Sequence, residues 1–272
     1  MRHGAKISSL RLALYTLFGY AVSGAFSLKI YSIHFAIILG GLLFASLLND
    51  YYDYVLLGER NAIGEALTQK KYTPRTTQFL IWTPWIVALG FFVLLAQFSV
   101  TPISFILPWI GFILSWTYSA PPLRLKRRRV LGFVVPPVGI FLLFLQGFVL
   151  LRMPSEYGWL VAMMVFLFAW YLEFMHIADD SLQAHEIHKM ATEQAIVWLK
   201  RVAMAGMVAS IIAGFYYPVL FASFVAWTLR YRALRKISGT TIIKARRSIL
   251  YPIWQLEDFA LYAALGILNA IY

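Results

Sequence analysis

The sequence predicts an all-α, polytopic membrane protein, and three observations predict it. Apolar residues make up 61% of the chain and charged ones only 13%, against about 45–50% and about 25% in ordinary soluble proteins. Mean hydropathy is +0.71 although the pI is near 9.9, a combination explained by charges that cluster between long apolar runs. Those runs do not alternate: Phe91-Phe92-Val93-Leu94-Leu95-Ala96 is apolar throughout, whereas a membrane β-barrel needs a two-residue period. A basic balance also suits nucleic-acid binders, but a soluble one does not commit most of its length to stretches near twenty apolar residues; that class is excluded. The chain contains no cysteine, which removes disulfides, thiolate nucleophiles and cysteine-bound metals as well.

Stretches long enough to cross a bilayer fall at nine places: residues 10–28, 30–49, 77–99, 102–119, 131–151, 157–178, 195–216, 218–233 and 248–271. The eighth is short. No Gly/Ser linker or low-complexity tract interrupts them, so residues 1–272 read as one transmembrane domain. Basic residues precede the first span and Ser23-Gly24-Ala25 has the small-x-small spacing of a signal-peptide cleavage site. Cleavage would leave an eight-helix protein that nothing else in the sequence supports, and retention is expected.

Orientation follows from the rule that cations collect in cytoplasmic loops. With nine spans, Arg2, Lys6 and Arg11, then Arg60, Lys70, Lys71 and Arg75, then Arg124 with Lys126 to Arg129, all face one side. Lys189, Lys200, Arg201 and the basic residues from Arg230 to Arg247 join them, leaving only Lys29 and Arg152 of the 24 cations opposite. The amino terminus is therefore expected in the cytoplasm and the carboxyl terminus across the membrane. With no transit peptide evident, the plasma membrane is the expected location.

Acidic residues near membrane depth cost roughly 2.5–3.5 kcal/mol each and are functional candidates by default. Asn49-Asp50-Tyr51-Tyr52-Asp53 closes the second span, with Glu59 beyond Gly58. On a helix Asn49 and Asp53 are four apart and Asp50 and Asp53 three, so all three share a face. Oxygen donors so gathered suit Mg²⁺, which binds one or two carboxylates plus substrate phosphates. Glu173, His176, Asp179, Asp180 and Gln183 form a second polar face at the end of the sixth span. Between them in sequence, Tyr118-Ser119-Ala120-Pro121-Pro122-Leu123-Arg124-Leu125-Lys126 is a rigid double-proline turn that brings cations to the same surface. Two acidic faces and a cationic loop suit a diphosphate. Plainer roles compete: interfacial Asp and Asn cap helices, the Arg127–Arg129 run suits anionic lipid, and His176 reads best as a partner of Glu173.

At these residues the chain resembles the UbiA superfamily of intramembrane prenyltransferases, whose acidic motifs follow the second and sixth of nine helices, with a Tyr-x-x-Pro-Pro-x-Arg-x-Lys-like loop after the fourth. Tyr118 to Lys126 match that loop best, and the likeness covers essentially the whole chain. Departures accompany it. The last Asp of the first motif falls on Leu57, with Glu59 nearby, a spacing similar to the menaquinone-type branch; the second motif opens on His176 and closes on Gln183 or Ala184; and an Arg-Pro-Leu element reads Glu65-Ala66-Leu67.

The resemblance implies nine helices around a central cavity and transfer of a prenyl group from a prenyl diphosphate to a lipophilic acceptor, foremost an aromatic one. It implies Mg²⁺ held by Asp50, Asp53, Asp179 and Asp180, with Glu59 as a further ligand, and a diphosphate bound by Asn49, Tyr118, Arg124 and Lys126. The catalytic set is Asp50, Asp53, Asp179 and Asp180. Membrane lipids are the other expected partners; neither nucleic acid nor an obligatory protein partner is expected. Two alternatives share the fold: a terpene cyclase, in which no outside acceptor attacks, and a non-catalytic prenyl-lipid-binding protein.

Overall fold

A computed structural model describes residues 4–25, 27–59, 61–128, 130–182 and 192–235, with side chains from Leu12 onward save those of 178–182 and 192. Helices fill these residues and no strand occurs among them. In order they are α1 (Gly4–Ser23), α2 (Leu28–Leu57), α3 (Ala62–Thr68), α4 (Pro74–Leu95), α5 (Ile103–Ser119), α6 (Leu131–Phe148), α7 (Glu156–Leu182), α8 (Thr192–Tyr216) and α9 (Phe221–Arg235). The first eight expected spans fall on α1, α2 and α4 to α9. The ninth, 248–271, lies outside the described residues. By length and composition α2, α4, α6, α7 and α8 each suffice to cross a bilayer, while α1 and α5 contribute shorter apolar stretches.

Two elements depart furthest from the expected boundaries. The apolar run of α2 stops at Leu48, yet the helix has 30 residues, about 45 Å at 1.5 Å each, well beyond the roughly 30 Å of hydrocarbon. Asn49 to Asp53 therefore lie inside a continuing helix instead of at its end. It stops at Gly58, whose left-handed φ of 66° suits glycine because a Cβ would be strained there. The Gly58 N–H donates to the Tyr54 carbonyl (2.9 Å) and the Glu59 N–H to that of Asp53 (3.2 Å), a helix-ending arrangement built on a left-handed residue. The second departure is α3, seven residues with no apolar run. Asn61 caps it by accepting from the Gly64 N–H at 2.9 Å, and the Tyr54 ring lies against Gly64.

The helices divide into two compact units. One holds α2 to α5 with most of α1 and α6. Its core joins Phe44 from α2, Trp82 and Trp85 from α4 and Phe112 from α5, with the exposed Trp116 ring edge-on to Trp82. Trp85 stacks on Phe112 at 4.3 Å between centroids, with Phe44 5.0 Å from Phe112 and 5.1 Å from Trp82. In the same unit α1 and α6 touch backbone to backbone. A Cβ on Gly19 would collide with the Phe144 carbonyl, and one on Gly147 with that of Thr16; small residues permit such approach where lipid supplies no hydrophobic drive between helices. The second unit holds α7 to α9. There the buried Trp227 ring packs over Gly206, and the Arg230 guanidinium lies 4.7 Å from Trp227, 4.9 Å from Phe168 and 5.9 Å from Tyr171, the geometry of cation–π contacts.

Candidate diphosphate and metal site

The polar stretch of α2 meets the loop after α5 within the first unit. One helical turn brings the Asn49 Nδ2 to the Asp53 Oδ2, to which it donates at 2.8 Å. Ser119, the last residue of α5, donates to the Asn49 Oδ1 at 3.2 Å. The chain then passes through the cis Pro121-Pro122 bond to Arg124, whose φ of 41° is left-handed. For a residue with a Cβ that conformation costs roughly 1–2 kcal/mol. A single 3-10 turn, Leu125–Arg127, follows, so two cations two residues apart both return to α2. The Lys126 Nζ donates to the Asn49 Oδ1 at 2.8 Å and contacts the Asp53 Oδ1 directly. The Arg124 Nη2 lies 3.6 Å from that same Asp53 oxygen.

Asp53 is buried, and the side chains of Lys126 and Asp53 are only 14% and 11% exposed, so water screens the pair little. The Arg124 Nε and Nη2 are buried with no hydrogen-bond partner among the described residues. Buried N–H groups of this kind are ordinarily satisfied, and an anion is what a guanidinium fork lacks. Asp50 is half-buried one turn before Asp53. Its backbone carbonyl accepts from the Asn61 Nδ2 at 2.7 Å, which ties the start of α3 to α2.

The structure thus gathers Asn49, Asp53, Arg124 and Lys126, with Asp50 on the adjoining stretch. Tyr118 precedes Ser119 and is half-buried; Glu59 is exposed beyond Gly58. Asp179 and Asp180 lie in the last turns of α7, their side chains outside the described residues, as is Gln183. In α7 itself Glu173 is buried and His176 exposed. Ser119 and Asn61 are site neighbours that spacing alone does not single out. Asn61 carried one legible signal, an Asn where a short helix begins.

Among the described residues no three His, Cys, Asp or Glu side chains gather round one point. The oxygens available to a cation on this stretch are the Asp50 and Asp53 carboxylates and the Asn49 amide oxygen, hard donors of the kind Mg²⁺ takes when phosphates complete its shell. The Lys126 ammonium already sits on two of these oxygens. The Asn49 and Asp53 oxygens converge on a point that holds a cation, and with the Asp50 carboxylate on the same stretch of α2 the donors are of the kind the metal takes.

No family model matches the sequence, and no curated protein matches it significantly. Solved structures do. A UbiA homologue from Archaeoglobus fulgidus bound to GPP and Mg²⁺ is 15% identical, with a TM-score of 0.65 and 98% of each chain covered. The same homologue bound to DMAPP and Mg²⁺ is 17% identical, with a TM-score of 0.62, over 96% of this chain and 93% of that one. A digeranylgeranylglyceryl phosphate synthase is 12% identical, with a TM-score of 0.72, over 96% of this chain and 94% of that one. Over nearly its whole length, this chain has the UbiA fold.

Proposed function

We propose that the chain is a membrane-embedded prenyltransferase of the UbiA superfamily, moving a prenyl group from a prenyl diphosphate to a lipophilic acceptor, foremost an aromatic one. The observation that carries the reading is the meeting of Asn49 and Asp53 with Arg124 and Lys126, in a fold whose solved examples include structures bound to GPP or DMAPP with Mg²⁺. The whole chain acts as one domain. The loops after α2 and α5 face the cytoplasm of the plasma membrane, in keeping with their cations.

In this reading Asp50 and Asp53, with the Asn49 amide oxygen, would hold Mg²⁺, and Asp179 and Asp180 keep the role of second acidic motif on sequence order. Bound there, the metal would supply Lewis-acid polarisation of the leaving diphosphate. The chain's own groups do the rest. Arg124 presents unpaired N–H groups to phosphate oxygens, and Lys126 adds a mobile point charge. Both are in place before charge develops on the leaving oxygen, the arrangement through which preorganised donors lower a barrier. The prenyl C–O bond breaks with its electron pair passing to the diphosphate. The acceptor then bonds to that carbon and releases a proton.

The test is pyrophosphate release by detergent-purified protein given geranyl, farnesyl or geranylgeranyl diphosphate, with and without Mg²⁺. Release that requires Mg²⁺ and falls at least a hundredfold in Asp53→Asn is expected, since one charge-stabilising contact is worth roughly 10²–10³ in rate. No release with any chain length would defeat the reading. A terpene formed without acceptor would turn it into a cyclase.

A further inference from the structure

We infer that Lys126 is an internal counter-ion that occupies the divalent-metal position until a diphosphate draws it away, so that metal and diphosphate bind only weakly apart and strongly together. The inference rests on the proposed reading of this site and goes beyond it by fixing how its two ligands depend on each other.

Four observations lead there. The Lys126 Nζ rests on the Asn49 Oδ1 at 2.8 Å and against the Asp53 Oδ1, two of the oxygens a metal at this place would need. Ser119 donates to that same Asn49 oxygen at 3.2 Å, and an amide oxygen has only two lone pairs. A metal can take that oxygen only if a donor leaves, and the charged Lys126 ammonium repels a metal at close range where the neutral Ser119 hydroxyl does not. Asn49 in turn holds the other Asp53 oxygen at 2.8 Å, so the two acceptors stay aimed at one point whichever cation is there. Lastly, the Arg124 Nη2 lies 3.6 Å from Asp53, an ion-pair distance, while its Nε and Nη2 make no hydrogen bond. The carboxylate keeps a cationic neighbour when Lys126 departs, and an arriving diphosphate finds donors waiting.

Charge sets the sign. Asp50 and Asp53 against Arg124 and Lys126 leave the cluster neutral, which offers a free divalent cation little. A diphosphate brings negative charge to which the flexible lysine head can swing, and the carboxylate is then released to the metal. Because such coupling is reciprocal, the metal must tighten diphosphate binding by the same factor that diphosphate tightens metal binding.

The experiment titrates Mn²⁺, followed by its electron paramagnetic resonance signal, into the detergent-solubilised full chain with and without inorganic pyrophosphate. Wild type is expected to bind Mn²⁺ weakly alone and about tenfold more tightly with pyrophosphate, within the usual range of coupling. Lys126→Met is expected to bind Mn²⁺ alone about tenfold more tightly than wild type and to lose most of the pyrophosphate effect. Lys126→Arg, which keeps the charge, is expected to bind Mn²⁺ alone as weakly as wild type. Lys126→Gln replaces Lys126→Met should the latter fail to fold, with the same expected direction. A neutral variant that binds Mn²⁺ alone no more tightly than wild type would overturn the inference. Failure of the transferase reading is separate: it shows as no pyrophosphate release from any prenyl diphosphate, and the Mn²⁺ comparison still upholds or overturns the role of Lys126.

Discussion

Asp53 receives three contacts, one from Asn49 on its own helix and two from Lys126 and Arg124 in the loop after α5. Truncating it would strand two cations in a poorly hydrated place. Removing one partner of such a buried pair costs about 3–5 kcal/mol, so Asp53→Ala is expected to destabilise the protein by about 3 kcal/mol in a reversible unfolding measurement. Lys126→Met added to Asp53→Ala should recover part of that loss, because coupled residues are not additive. Arg124→Lys keeps the charge but removes the guanidinium fork. Stability should change little while KM for the prenyl diphosphate rises about tenfold, the loss of roughly one charge-assisted hydrogen bond. The pairing of Asn49 with Asp53 was legible in the sequence because four residues make one helical step. The Ser119 contact, across 70 residues, was not, since serine at a helix end reads equally well as a cap or as a solvated group.

At the scale of elements, hydropathy located eight helices and missed the end of α2 by the widest margin. Charged residues end an apolar window without ending a helix, so the reach of α2 to Leu57 was hidden by the very residues that matter. A seven-residue helix such as α3 has no apolar signature at all; its start depends on the Asn61 cap and its seat on Tyr54. The glycines of α1 and α6 gave no local signal either, because only the partner helix explains them. Gly147→Val is expected to force these backbones apart and cost about 1–3 kcal/mol, the usual penalty of overpacking. Gly90→Ala serves as control: a Cβ there would meet nothing within 4 Å, and stability should hold or rise slightly. Thermal unfolding of both variants in one detergent checks the contrast.

For the whole molecule, charge sorting spoke for the topology and the acids for the chemistry. The fold was legible because long apolar runs are set by coarse physical demands, and solved structures only 12–17% identical share it. The second acidic motif was less so, since His176 and Gln183 stand where acids were expected. Orientation is open to a direct check, as the chain has no cysteine of its own. In intact cells, Met153→Cys should react with a membrane-impermeant maleimide, whereas Arg128→Cys should react only after the membrane is opened. The reverse pattern would invert the topology and with it the side on which substrate must arrive.

The glycine contact between α1 and α6 carries a consequence for biosynthesis. Gly19 meets Phe144 and Phe148, and Gly147 meets Thr16 and Tyr20, so the surfaces that touch are made far apart in time. At about 5–20 residues per second, α1 emerges some 6–25 s before its partner. During that interval its small-residue face must be covered by lipid, by the insertion machinery or by α2. The earliest made of the described helices is thus not locked in place until α6 follows it, and a nascent chain halted before α6 should remain open to proteolysis along α1.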